Sequence, residues 1–207
     1  MISAREALDR LRDGNRRFVD GVQQGEIPSN QTRRIELTSG QAPFGIILGC
    51  SDSRVPAEIV FDQGLGDLFV IRVAGNIVAA SQIGSVEFAA ERFGTPLVVV
   101  LGHSQCGAVQ ATVEELMLPR EGQSPNLRSI VDRIRPSVEA LLDTELRRDP
   151  EALISRATRA NVRASVNQLR HGSRLLEQRI QSDGLLVVGA EYSLATGVVD
   201  LFDGVPD

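Results

Sequence analysis

The chain holds two cysteines and two histidines. Three of these four residues fall in two short segments, Cys50-Ser51-Asp52-Ser53-Arg54 and His103-Ser104-Gln105-Cys106-Gly107. Two sulfurs and one imidazole nitrogen are donors that zinc prefers. The His-x-x-Cys spacing lets both side chains reach one ion where a strand turns into a helix. Cys106 would then lie at the start of a helix beginning near Gly107, where the helix dipole favours the thiolate that metal binding requires. Three protein ligands leave a fourth position open, which separates catalytic from structural zinc. Asp52 and Arg54 add a carboxylate and a guanidinium two residues apart. Paired bidentately, Asp52 stays ionised and oriented, able to accept a proton or hydrogen bond from water on the metal. Unpaired, it could supply the fourth ligand. On spacing alone, plainer readings stay open: space-filling or disulfide-bonded cysteines, a hydrogen-bonded histidine, a turn-forming aspartate and a surface arginine. His171, between Arg170 and Gly172, reads as plain surface.

Other patterns carry less. Gly49-x-Ser51-x-Ser53 lacks the last glycine of a nucleophile elbow, and His103 has no evident acid partner for such a triad. Gly64-Leu65-Gly66 is followed by no third glycine at dinucleotide-binding spacing, so a turn accounts for it better. All 22 basic residues are arginine. Schiff-base and P-loop lysine chemistry are therefore excluded.

Elements must bring the two segments together. FGIILGC (44–50), LFVIRVA (68–74), PLVVVLG (96–102) and LLVVGAEY (185–192) are continuous apolar runs, as expected of strands buried on both faces of a parallel sheet. GVVDLF (197–202) follows a turn and reads as a last strand pairing antiparallel with the fourth. Helical spacing appears between the runs: Ile83, Val86 and Ala90; Ala108, Val109, Val113 and Leu116; and a long stretch at 155–182. At the N-terminus, Ser3 and Glu6 form a capping box ahead of a helix over about 3–20. Residues 21–43 read mostly as loop with a short helix near 31–38. Residues 119–151, rich in proline and charge, read as a surface excursion with one or two short helices. The expected fold is α/β: a small, mostly parallel sheet of four parallel strands plus a C-terminal antiparallel strand, flanked by helices. It forms a single domain over 1–207, with 1–40 as an N-terminal helical arm and 41–207 as the core. Both chemical segments follow the C-terminal ends of strands, where open α/β sheets place their ligands.

Bulk composition narrows the partners. A formal charge of −5 without a basic block argues against nucleic acid and anionic membrane. No apolar run reaches the roughly 18 residues of a membrane helix. MISAREALDR has no signal-peptide core, so the expected location is cytoplasmic.

The paired motifs, Cys50-Ser51-Asp52-Ser53-Arg54-Val55 and His103-x-x-Cys106-Gly107, resemble those of the β-class carbonic anhydrases. The resemblance runs from ALDRLRDGNRRFV through GDLFVIRVAGNIV to GAEYSLATGVVDLF, and is loosest at 117–152. It implies one Zn2+ per chain on Cys50, His103 and Cys106, and a catalytic dyad of Asp52 and Arg54. It implies that Gln41 positions substrate, that Phe69 and Phe88 line the carbon dioxide pocket, and that the Gly107 N–H faces bicarbonate. It further implies a homodimer or dimer of dimers, with active sites at the interface and the N-terminal helix reaching over the partner. The implied reaction is reversible hydration of carbon dioxide to bicarbonate and a proton, with zinc-bound hydroxide as the nucleophile and the dyad orienting it. Two thiolate ligands should make the zinc water less acidic than an all-histidine site does. In one regulatory subgroup Asp52 would become a fourth zinc ligand in an inactive state. That subgroup carries tryptophan where this chain has Ile47, which counts against its second bicarbonate site even though Arg72 matches a contact there. Ala74 replaces a bulkier pocket residue. Two rivals remain: a carbonyl sulfide or carbon disulfide hydrolase on the same scaffold, and a non-catalytic structural or redox zinc protein.

Overall fold

The computed structural model describes residues 2–22, 31–118, 122 and 124–206. Its elements run α1 (Ala4–Asp20), α2 (Gln31–Glu36), β1 (Gly45–Gly49), α3 (Ala57–Val60), β2 (Leu68–Arg72), α4 (Ala80–Arg92), β3 (Leu97–His103), α5 (Gly107–Met117), α6 (Pro125–Leu142), α7 (Pro150–His171), α8 (Arg174–Ser182), β4 (Leu186–Tyr192) and β5 (Val199–Asp203). The strands form one sheet in the order β2-β1-β3-β4-β5. The first four are parallel and β5 runs antiparallel to β4, as the apolar runs and the preceding turn predict.

Strand residues alternate between two cores. Ile47, Val99, Leu101, Val188 and Ala190 face one, shared with Leu8 and Leu11 of α1 and with Val60 and Phe61. Ile46, Leu48, Val98, Val100 and Val187 face the other, shared with Val86 and Ala89 of α4 and with Val162, Val166 and Leu169 of α7. Burial on both faces is why these strands carry no polar alternation. A third cluster joins Cys50 and Cys106 to Val109, Val113, Ile134, Val138 and Leu153.

Two sequence expectations are corrected. The helical stretch 155–182 is two helices: α7 ends at His171, and Ser173 begins α8 by accepting the Leu176 N–H at 3.2 Å. A serine at an N-cap takes a new orphan donor and so permits the break at Gly172. Residues 119–151 are not an excursion with short helices. Most of the stretch is α6, 18 residues long, with Val131, Ile134, Ser137 and Val138 buried and Pro136 tolerated within it. The 3–4 spacing of those residues was the signal, masked by prolines and charges. Part of the loop expected over 21–43, and Pro119, lie outside the described residues.

α1 has the expected capping box: Ser3 Oγ accepts the Glu6 N–H, and Glu6 Oε2 accepts the Ser3 N–H at 2.7 Å. The helix packs on its own chain. Asn15, nearly buried, donates to the carbonyls of Val60 and Gly197 at 3.1 and 2.9 Å and accepts the Val199 N–H at 2.8 Å. Arg17 pairs with buried Asp62. At Gly14 the helix lies so close to the chain that an added Cβ would overlap the Phe61 carbonyl oxygen, which is backbone and cannot swing away. Gly14→Ala should therefore destabilise the protein by about 1–3 kcal/mol, the usual cost of overpacking. Urea unfolding checks this, with an unchanged midpoint counting against the close docking of α1.

Candidate metal centre

Parallel pairing of β1 with β3, in the register Gly49↔Leu101, sets the ends of the two strands side by side. Cys50 follows one strand and His103 ends the other. Beyond His103 the chain turns through Gln105, which adopts the left-handed conformation at φ 54, and delivers Cys106 to the N-cap of α5. Two bonds hold this turn on β4: the Ser104 N–H donates to the Tyr192 carbonyl at 2.9 Å, and Ser104 Oγ accepts the Leu194 N–H at 3.0 Å. Cys50, His103 and Cys106 are all buried, and their donor atoms lie within 4.8 Å of one another.

The chemistry of this trio fits a divalent cation. His103 Nδ1 lies 2.9 Å from the Ser104 carbonyl oxygen, which can only accept, so Nδ1 carries the ring proton. That leaves Nε2 with a lone pair, buried and, among the described residues, without a hydrogen-bond partner. An orphaned nitrogen aimed at two sulfurs is what a metal ligand looks like before its ion is counted. The cysteines are free. Their thiols titrate in opposite directions. The Cys106 thiol donating to Cys50 pushes Cys50 well down, whereas that bond, burial and the Cys50 charge push Cys106 up. The protein alone thus stabilises one thiolate. A cation between the sulfurs would ionise both. A backbone amide assists: the Gly75 N–H donates to Cys50 Sγ at 3.3 Å, while Cys106 sits at the N-cap of α5, where the helix dipole favours a thiolate.

Asp52 lies at the edge of the trio. Arg54 grips it bidentately, Nε to Oδ1 at 2.9 Å and NH2 to Oδ2 at 2.7 Å, and the Arg54 N–H adds a third bond to Oδ1 at 3.0 Å. The pairing holds the Asp52 carboxyl well below the usual carboxylate range. Oδ2 stands 3.8 Å from His103 Nε2, and both oxygens are engaged by arginine. Arg72 donates to the carbonyls of Cys50 and Asp52 at 3.0 and 2.5 Å, clamping the loop that carries both residues. Ile47 is fully buried in the core.

The remaining expected residues are scattered. Gly107 opens α5 beside Cys106, and a Cβ there would meet nothing within 4 Å. Gln41 is exposed ahead of β1. Phe69 and Phe88 lie together, ring centroids 6.2 Å apart, with Phe93 completing a triad. They pack against the core on the α4 side, a cluster separate from that of Cys50 and Cys106, and Phe88 is 53% exposed. Sequence reasoning missed Gly75 as a donor to sulfur. The Gly75-Asn76 pair is a turn signal, but nothing local says which atom its N–H meets.

The sequence profile of the carbonic anhydrase family matches residues 45–199. The chain is 42% identical over 194 residues to a carbonic anhydrase of Mycolicibacterium smegmatis, covering 92% of this chain and 89% of that one. It is 40% identical to carbonic anhydrase 2 of Mycobacterium tuberculosis, covering 94% and 91%. Among solved structures it is similar to the β-carbonic anhydrase CcaA, with a TM-score of 0.78, 27% identity and 95% of each chain covered. It is also similar to tetrameric β-carbonic anhydrases of Sordaria macrospora, with a TM-score of 0.73, 25% identity and 84% and 87% covered. Fold, donor set and sequence agree: this chain belongs to the β-carbonic anhydrase family.

Proposed function

We propose that the chain interconverts carbon dioxide and bicarbonate with one zinc ion held by Cys50, His103 and Cys106. The observation that carries this reading is the buried, unpartnered Nε2 of His103 among two sulfurs, beside a carboxylate that arginine keeps ionised but off the donor set. Bound there, zinc would lower the pKa of water from ~15.7 toward about 7.

The chain's own residues supply the rest. Asp52, ionised and acceptor-only, takes a hydrogen bond from the attacking water and fixes which lone pair faces the substrate carbon. Arg54 holds Asp52 in that role, and Arg72 holds the loop beneath it. Hydration joins the water oxygen to carbon and releases one proton to solvent. The Gly107 N–H, in the first turn of α5, is assigned to a bicarbonate oxygen on its place in the family pattern, where a helix N-terminus favours an anion. Gln41 is assigned to substrate positioning on its place in the family pattern. Phe88 is exposed on one chain and, with half-buried Phe69, lies apart from its own cysteines, which favours a homodimer or dimer of dimers in which a second copy covers them and completes an apolar pocket. Among the described residues no helix is long and apolar enough to cross a membrane. Because both cysteines are needed as thiolates, a reducing compartment such as the cytoplasm suits the protein.

Carbon dioxide hydration with Asp52 beside the metal differs from a structural site with Asp52 upon it. Cys106→Ser should lose zinc and hydration activity together, read by metal analysis and stopped-flow hydration. A folded variant with full zinc and full rate would remove Cys106 from the ligands. Asp52→Asn should retain zinc and lose about 100-fold or more in kcat, the scale of an oriented proton acceptor. Wild-type turnover in that variant would remove Asp52 from the reaction.

A further inference from the structure

Three buried polar side chains lie along one stretch of α7. Thr158 donates to the Ile154 carbonyl of its own helix at 2.9 Å, an ordinary arrangement. The other two reach off the helix. Asn161 Nδ2 donates to the Gly75 carbonyl at 2.8 Å, and Ser165 Oγ donates to the Asn76 carbonyl at 3.0 Å. Both residues are almost wholly buried, at 2% and 3% exposure. They are about one helical turn apart, so together they grip two consecutive carbonyls of one tight turn.

Gly75 and Asn76 both adopt positive φ, at 69 and 43. Glycine takes that conformation freely and asparagine tolerates it better than other side chains do, so the two bonds from α7 brace a turn its own residues permit. Gly75 admits no side chain, since a Cβ would lie 2.7 Å from Ile134 Cδ1 and 3.0 Å from Ala108 Cβ. The outcome of this constraint is the Gly75 N–H pointing at Cys50 Sγ, 3.3 Å away. α7 comes near enough to do this because Gly102 and Gly189 leave room for Val162 against β3 and β4.

We propose that Asn161 and Ser165 are positioning residues of the metal centre, holding the Gly75 N–H on Cys50 Sγ and thereby setting how strongly that thiolate binds a metal. The proposal rests on Cys50 being a ligand, as the proposed function has it. An amide N–H on a thiolate draws charge from sulfur and fixes the direction of its lone pairs. Partners of this kind are typically worth 10–100-fold in metal affinity. Without them the turn relaxes, the N–H leaves, and the sulfur becomes a stronger but poorly aimed donor.

Cobalt(II) is the probe, because its thiolate charge-transfer band reports the sulfur directly. The full chain is stripped, reloaded with cobalt or zinc, and its affinity measured against a competing chelator. In Asn161→Ala/Ser165→Ala, affinity should fall about 10–100-fold, and the band should move to lower energy as the sulfur lone pairs rise. Ser165→Ala alone removes one hydroxyl and should give a smaller shift of the same sign, which decides the matter if the double variant does not fold. Gly14→Ala is the control for mere destabilisation: it loosens the fold at α1, far from the turn, and should leave band and affinity as in the wild type. An unchanged band and affinity in the α7 variants, or an equal change in Gly14→Ala, would overturn the positioning role. A wild type with no thiolate–cobalt band would overturn the ligand assignment itself and the positioning role with it.

Discussion

His103 is fully buried, and its Nε2 nitrogen faces two sulfurs without a hydrogen-bond partner. Leaving such a group unsatisfied costs about 1–3 kcal/mol, and ionising two buried thiols side by side costs more. A protein folded only for stability would fill this position with a leucine. The surrounding structure is arranged instead to bring three donors together and to brace each from behind. The Ser104 carbonyl fixes the imidazole tautomer. The N-terminus of α5 lends its dipole to Cys106, and the Gly75 turn supplies an amide to Cys50. Each of these sits at the C-terminal edge of the parallel sheet, where strand ends leave room that the packed core does not.

An ionised carboxylate is kept beside this centre by a second electrostatic device. Asp52 has two arginines around it, and they act on different atoms. Arg54 occupies the carboxylate oxygens, whereas Arg72 occupies the backbone carbonyls of Cys50 and Asp52. One keeps the carboxylate charged and the other keeps its loop in register with the strand end. Arginine suits both tasks because its planar fork makes two parallel bonds and never loses its charge. The same clamp gives Arg72 a local role that requires no second anion site, in keeping with the isoleucine at position 47.

Much of this was legible in the sequence. The apolar runs placed four strands to within a residue or two, because burial on both faces leaves a signal that needs no tertiary knowledge. The trio Cys50, His103 and Cys106 was legible because few other ligand-capable residues compete with it, and the Asp52–Arg54 pair because its partners are two residues apart. What was hidden lies in long-range polar contacts. Asn161 and Ser165 read as ordinary helix residues, and only the packing of α7 across the sheet shows that they face Gly75 and Asn76. Asn15 was equally silent, its three partners being distant in sequence. The break between α7 and α8 and the length of α6 were misread because helix periodicity continues through a capped break, while proline obscures a true helix. Phe69 and Phe88 were found as a pair, but a single chain half-buries Phe69 and leaves Phe88 exposed.

Cys50 follows β1, His103 ends β3 and Cys106 comes just after it, with the whole of β2 and α4 threaded between. Neither half of the donor set resembles a metal site alone, and the halves meet only when β1 pairs with β3 at the centre of the sheet. The intervening chain must close as a long loop before any ion can be gripped by all three ligands. Assembly of the donor set therefore waits on that pairing. A chain stalled before it leaves two thiols and an imidazole apart, open to oxidants that the buried cluster of the folded chain keeps out.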